Sequence, residues 1–266
     1  MKKLSSKLYI ALVFIFLYAP IFVLIAYSFN ASKSRRHWGG FTFDWYVKLF
    51  NNEVILESLA NTLVIALIAA VVSTVLGTLA AIGIYNMRKV VRTIVINVTY
   101  VPIMNSEMVT GVSLMLLFVA LNIDLGFFTL ILAHITFCVP FVILNVLPKL
   151  RQMNHNLYDA ALDLGCSPVQ AFRHVIIPEI MPGIVTGFLV SITYSIDDFI
   201  ISYFTTGPDS QTLPITIYSM TRRKVSPEVN ALSAIIFVVV LAVLLIMNLK
   251  DIKGLFPKKK RKGGAA

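Results

Sequence analysis

Charge is scarce in this chain, and inside its apolar stretches positive charge is missing altogether. Charged residues make up 14% of the 266 residues against 58% hydrophobic ones, and mean hydropathy is +0.82. Soluble domains carry about 25% charged side chains, so this balance excludes an ordinary water-soluble globule. The two cysteines, Cys138 and Cys166, fall in separate regions, and neither a disulfide framework nor a metal centre is indicated. The short alternating segments of a membrane β-barrel are absent. No phosphate-binding loop is present, so the chain carries no nucleotide-hydrolysing motif of its own. No internal repeat is visible, and the two halves do not mirror each other in glycine and proline interruptions. That counts against an inverted-repeat secondary transporter.

What the chain does have is long apolar runs. Six are long enough to cross a hydrocarbon core, which takes about 20 residues. They are 8–29, 59–84, 95–121, 126–147, 183–204 and 231–249. Backbone in lipid must satisfy its own hydrogen bonds, so these runs read as helices. The expected fold class is all-α: one polytopic membrane domain over 1–266 with six transmembrane helices. The first run follows Lys2, Lys3 and Lys7, but it is too long for a signal-peptide core and no small-residue cleavage site follows. It reads as an uncleaved anchor.

Orientation comes from lysine and arginine. One side, with both termini and the connections around Arg88 and Arg151, holds 16 of the 23 basic residues. The other holds 7: Lys33, Arg35, Arg36, Lys48, Arg222, Arg223 and Lys224. The excess puts both termini in the cytoplasm. The net charge of +10 is thus a topology signal rather than a sign of nucleic acid. The tail Lys258-Lys259-Lys260-Arg261-Lys262, close after a span, reads as a contact for anionic lipid rather than a nuclear signal.

The connections carry structure. In the cytoplasmic loop 148–182, residues 154–164 favour a helix that Gly165 stops in the left-handed conformation. Ser167-Pro168-Val169-Gln170 has the form of a capping box with proline in the first turn. A second short helix should follow, broken by Pro178 and Pro182 before the next span. Ala160 and Ala161 leave a bare helix face. Two readings stay open, an elbow that docks into another protein or an amphipathic interfacial hairpin. In the outer loop 30–58, the aromatics between Trp38 and Tyr46 read either as an interfacial belt or as a docking surface. The outer loop 205–230, with Gly207-Pro208 and Leu213-Pro214, reads as an ordered turn. Ser226 should cap the last helix, with Pro227 in its first position.

The ionisable residues inside the runs are Glu107, Asp197 and Asp198, all acidic. Each costs about 2.5–3.5 kcal/mol on insertion scales and is a functional hypothesis by default; their common sign suits a path for a cation. At 1.5 Å per residue, Glu107 and Asp197 should lie roughly 18 and 21 Å from the cytoplasmic side, in the middle-to-outer half. Ser191, Ser195, Asp198 and Ser202 share one helical face, which would aim Asp198 at a lumen with Tyr194 beside it. Asp197 would then point away, toward a neighbouring helix. The competing reading is that both aspartates simply tie helices together or lie at the outer interface. Tyr194 and nearby aromatics either cage an ammonium group or pack. His134 reads as a buried hydrogen-bond partner rather than a ligand, and Pro102 and Pro140 as kinks.

The cytoplasmic loop resembles the EAA motif of binding-protein-dependent ATP-binding-cassette (ABC) transporter permeases. Asp159, Ala160, Ala161, Gly165, Val175, Ile177 and Pro178 fit its spacing, with Asp for Glu, Val for Ile and Ile for Leu. The likeness extends along most of the chain to the spermidine/putrescine permease subfamily. Its carriers are Trp38, Gly40-Phe41-Thr42 and Trp45-Tyr46, then His134-Ile135-Thr136-Phe137-Cys138 with Pro140-Phe141. They continue with Asp197-Asp198, Ser202, Phe204, Gly207-Pro208, Tyr218-Ser219-Met220 and Ser226-Pro227-Glu228. The resemblance implies a type I importer permease of MetI-like fold in a bacterial cytoplasmic membrane, with no cofactor. It implies that 148–182 is a coupling loop whose Asp159, Ala160, Ala161 and Gly165 contact a cytoplasmic ATPase. A second permease chain, a pair of ATPase subunits and an extracytoplasmic binding protein would complete the assembly. On the residues alone, a permease for another solute, a proton-coupled secondary transporter and a non-transporting scaffold stay open.

Overall fold

The computed structural model describes residues 2–32, 37–223 and 227–247. Lys33, Arg35, Arg36, Lys224, the Ser226 cap and the basic tail lie outside the described residues. Among the described residues regular structure is helical, apart from one isolated antiparallel bridge between Asn30 and Phe41. The chain divides into two compact units, Met1–Glu53 with Ser219–Ala266, and Val54–Tyr218.

In the first unit, α1 (Lys2–Ser28) and α2 (Asp44–Phe50) both pack on α12 (Pro227–Met247). The loop between α1 and α2 is a folded clip rather than a loose connector. Asn30 holds it: its side-chain oxygen accepts from Gly39 N–H at 2.7 Å and Ser32 N–H at 3.1 Å. The Trp45 indole N–H donates to the Asn30 carbonyl at 2.7 Å. Phe29 stacks on Phe41 at 5.1 Å and meets Phe43 edge-on at 5.5 Å, the geometries that ring quadrupoles favour.

The second unit runs α3 (Glu53–Asn86), α4 (Lys89–Met104), α5 (Glu107–Ala120), α6 (Phe127–Gln152), α7 (His155–Asp163) and α8 (Pro168–Ala171). A π-helical turn, Phe172–Ile176, leads into α9 (Ile177–Asp197), followed by α10 (Ile200–Thr205) and the part of α11 (Leu213–Arg223) up to Tyr218. Its centre is α6. Lipid tails are as apolar as leucine, so helices here associate through close packing at small residues. A β-carbon on Gly77 of α3 would lie 2.6 Å from Val142 Cβ, and one on Gly187 of α9 3.2 Å from Val142 Cα. Val142 thus fills the hollows that two glycines leave. Ala81, Ile84, Val146, Leu147, Leu150 and Ile180 extend this core. A second cluster joins Phe118, Ala133, Phe137, Cys138 and Ile201.

The expected spans are partly redrawn. Among the described residues, four helices are long and apolar enough to cross a membrane: Lys7–Ser28, Glu53–Asn86, Phe127–Gln152 and Pro168–Asp197. Counting α4 with α5 as one bent crossing makes five, and the stretch Pro227–Val239 of α12 is shorter. The run 95–121 is not one kinked helix. It breaks at Asn105 and Ser106, both extended, and turns through 101°. Glu107 therefore opens α5 instead of lying deep in a continuous span. Pro102 sits inside α4, and the break comes three residues later.

The run 183–204 is redrawn at both ends. Pro178 and Pro182 do not break the helix, which continues unbroken from Pro168 to Asp197. Pro178 follows directly on the wider π-helical turn Phe172–Ile176, through which the helix continues. At the other end the helix stops at Asp197, because Asp198 is extended with ψ of 123°.

The elbow forms as its local signals dictate. The Asn154 side chain caps α7 by accepting from Asn156 N–H at 3.1 Å. Gly165 has φ of +88°, its N–H bonds to the Leu162 carbonyl at 2.9 Å, and Cys166 N–H bonds to the Ala161 carbonyl at 3.1 Å. This is a Schellman end, which wants a left-handed glycine at that position. Ser167 and Gln170 form the reciprocal capping box at 3.3 and 2.9 Å.

Candidate functional site

Two interrupted elements and the continuous helix α6 meet on one cavity of about 220 Å³ within the second unit. The end of α4 contributes Pro102 and Ile103, the 101° break contributes Asn105, and α5 contributes Glu107 and Thr110. From α6 come Phe137 and Phe141, and from α9 come Tyr194 and Asp197. Asp198 and Ile201 close the wall at the second break. Four residues singled out in the sequence, Glu107, Tyr194, Asp197 and Asp198, are thus brought together. Phe141 stacks on Tyr194 with centroids 4.5 Å apart and planes at 16°. Tyr194 is 47% exposed, so one side of this aromatic pair remains open. Three carboxyl groups beside an open aromatic face form an arrangement suited to an organic cation.

Both aspartates line the cavity, so Asp198 lies beside Tyr194 as the helical wheel assigned but Asp197 does not point away. Asp197 is exposed, whereas Asp198 is 9% exposed and spends much of its carboxylate on the protein. Its Oδ2 accepts from both Ser202 N–H and Ser202 Oγ–H at 2.7 Å, and its Oδ1 accepts from Ile201 N–H at 3.3 Å. Asp198 therefore caps α10, where an anion also meets the positive end of the helix dipole. The helix ends at Asp197, so Ser202 beyond the break no longer shares a helical face with Ser191 and Ser195. Ser191 and Ser195 are buried against α6: Ser195 Oγ lies 2.6 Å from His134 Nδ1, and Cys138 Sγ lies 3.6 Å from the Ser191 carbonyl. Ser202 is fully buried and lies behind the wall, not on it. His134 is the buried hydrogen-bond partner that the sequence suggested.

Asn105, Thr110, Phe137 and Phe141 were not foreseen. One signal could have found two of them: His134, Phe137 and Phe141 recur at helical spacing on one face of α6.

The elbow residues lie elsewhere in this unit. Asp159, Ala160 and Gly165 are exposed, and Leu164 beside them is 86% exposed. Ala161 corrects the expectation of a bare two-alanine face, because it turns inward and is 9% exposed. The exposed apolar surface is made instead by Leu157, Ala160, Leu164 and Val169.

A family model described as binding-protein-dependent transport system inner membrane component matches residues 73–252. The spermidine/putrescine transport system permease protein PotC of Escherichia coli K12 is 39% identical over 237 residues, covering 89% of this chain and 90% of that protein. The putrescine transport system permease protein PotI of the same strain is 37% identical over 231 residues, covering 84% and 82%. Among solved structures, a chain of a bacterial ABC transporter involved in the import of the acidic polysaccharide alginate aligns with a TM-score of 0.73. The alignment covers 94% of this chain and 95% of that one at 14% identity. A chain of the MetNI methionine ABC transporter in an inward-facing conformation aligns at 0.60, covering 76% and 96% at 16% identity. At these identities the structural likeness is one of fold.

Proposed function

Because this chain belongs to the family of binding-protein-dependent transport system inner membrane components, we propose that it is the membrane-spanning permease of an ATP-driven importer of polyamines. The observation that carries the solute is the 39% identity, over 89% of the chain, to a spermidine/putrescine permease. The acidic, aromatic-walled cavity supports it from the side of chemistry. The fold does not select the solute, since a chain of the same fold serves an importer of an acidic polysaccharide.

Six crossings complete the reading if α4 and α5 form one bent span and α12, an apolar helix of 21 residues, forms the last. The lysine and arginine balance then puts both termini and the elbow in the cytoplasm. The elbow, with Asp159, Ala160 and Gly165 on its surface and Ala161 beneath, seats in a cleft of a cytoplasmic ATPase pair. A second permease chain lines the other side of the path, and an extracytoplasmic binding protein delivers the solute to the outer loops. ATP-driven closure moves the elbow, and α9 carries that motion to Tyr194 and Asp197. The ammonium groups of the solute pair in turn with Glu107, Asp197 and Asp198, with Tyr194 and Phe141 offering a ring face. Passage needs each contact to be weak enough to release.

The test is reconstitution with the partner subunits and measurement of ATP-dependent uptake of labelled spermidine. Glu107→Gln removes one charge-assisted contact, about 1.5–3 kcal/mol, so uptake at low solute falls about 10- to 100-fold. Undiminished uptake in both Glu107→Gln and Asp197→Asn would retire the acidic path. Gly165→Leu forces a side chain into the left-handed region, at about 1–2 kcal/mol, and loosens the Schellman end. ATP hydrolysis by the assembly should continue while uptake drops several-fold. Transport that keeps pace with hydrolysis in this variant would remove the elbow from the coupling path.

A further inference from the structure

The second break at the cavity wall is bridged from outside by one buried side chain. α9 ends at Asp197 and α10 begins at Ile200. His134, on α6 and 1% exposed, reaches across: Nδ1 lies 2.6 Å from Ser195 Oγ on α9, and Nε2 lies 3.0 Å from Ser202 Oγ on α10. Counting protons fixes the direction of each bond. Ser202 has one hydroxyl proton and gives it to Asp198 Oδ2 at 2.7 Å. Its oxygen must therefore accept from His134, which places the imidazole proton on Nε2. Nδ1 is then an acceptor, and Ser195 donates to it. The four residues form one directed chain, Ser195 to His134 to Ser202 to Asp198. A neutral imidazole in this tautomer satisfies every link.

This chain decides what Asp198 has left to offer. Oδ2 is occupied by two donors at 2.7 Å, while Oδ1 holds only the longer 3.3 Å bond from Ile201 N–H. The unused acceptor positions therefore lie on Oδ1, on a residue that lines the cavity. His134 does not line it. We propose that His134 is a positioning residue for solute recognition: by clamping α9 to α10 across the break, it commits one oxygen of Asp198 to the protein and frees the other for a cation. The proposal rests on the reading of this cavity as a cation path. A role for His134 as mere filler, packed 5.3 Å from Phe137, predicts different behaviour on substitution.

The experiment uses the complete reconstituted transporter and compares His134→Phe, which keeps bulk without polar atoms, with His134→Gln, which keeps a donor and an acceptor. His134→Phe should raise the KM for spermidine about tenfold, the effect of misplacing one charge-assisted contact, while changing the maximal rate much less. His134→Gln should restore most of the affinity. In the double variant His134→Phe with Asp198→Asn, the KM should be no higher than with Asp198→Asn alone, because the histidine acts through the carboxylate. A normal KM in His134→Phe, or effects that multiply in the double variant, would overturn the proposal. Should His134→Phe not assemble, Ser202→Ala cuts the same chain with a smaller change, and an unaltered KM there overturns it equally. Absence of polyamine uptake by the unaltered transporter would instead refute the transport reading. In that case the coupling is read without solute, from the unfolding midpoints of the single and double variants. Non-additive shifts uphold the chain, and additive shifts overturn it.

Discussion

Asp198→Ala abolishes uptake and destabilises the chain by about 3 kcal/mol or more, the sum of several orphaned donors. The substitution strands Ile201 N–H, Ser202 N–H and the Ser202 hydroxyl in a place that water scarcely reaches. Each buried donor left without an acceptor costs about 1–3 kcal/mol, and α10 loses the anion at its N-terminus. Asp197→Ala is the informative contrast. That side chain is exposed and no cap depends on it, so stability should stay within about 0.5 kcal/mol while uptake falls. Thermal unfolding in detergent, read beside uptake, separates the two residues. An Asp198→Ala chain that melts with the unaltered protein would show that the cap contributes little.

The second large effect is steric. In Gly183→Leu, the new β-carbon meets the Asn145 carbonyl oxygen at 2.8 Å and Lys149 Cγ at 2.9 Å. A lysine stem can swing aside, but the carbonyl belongs to the backbone of α6 and cannot. The two helices must part, and overpacking of this kind costs about 1–3 kcal/mol before the lost contacts elsewhere are counted. Those contacts include the Phe141–Tyr194 stack, which depends on α6 and α9 keeping their distance. Gly83→Leu is the control, since nothing lies within 4 Å of a β-carbon there. The expected outcome is a lower yield of folded chain and a lower unfolding midpoint for Gly183→Leu alone. Equal behaviour of the two variants would show that the α6–α9 contact is not tight.

Which features the sequence disclosed follows from how far apart the determining residues lie. The elbow was legible because its determinants are neighbours: Asn154, Gly165 and the Ser167–Gln170 pair each act within a few residues. The breaks in the spans were not. A hydropathy window of about twenty residues averages over Asn105 and Ser106 and sees one continuous run. The end of α9 at Asp197 depends on Asp198 finding Ser202, and that serine in turn meets His134, 68 positions earlier. Proline misled in the opposite sense. Pro178 and Pro182 read as helix stops, but the helix passes through a π-helical turn just upstream and continues past both. Composition alone named the acids that line the cavity, because a carboxylate in an apolar run is costly enough to stand out. Only the fold could say which aspartate faces outward.

The uninterrupted stretch from Pro168 to Asp197 spans 30 residues, about 45 Å at 1.5 Å per residue. Geometry makes so long a rod an amplifier. Tilting it by about 5° around its Pro168 end sweeps the far end sideways by about 4 Å, from the same rise per residue. That sweep exceeds the length of a hydrogen bond, so a small change of angle at the elbow end is enough to exchange one set of partners for another at the tip.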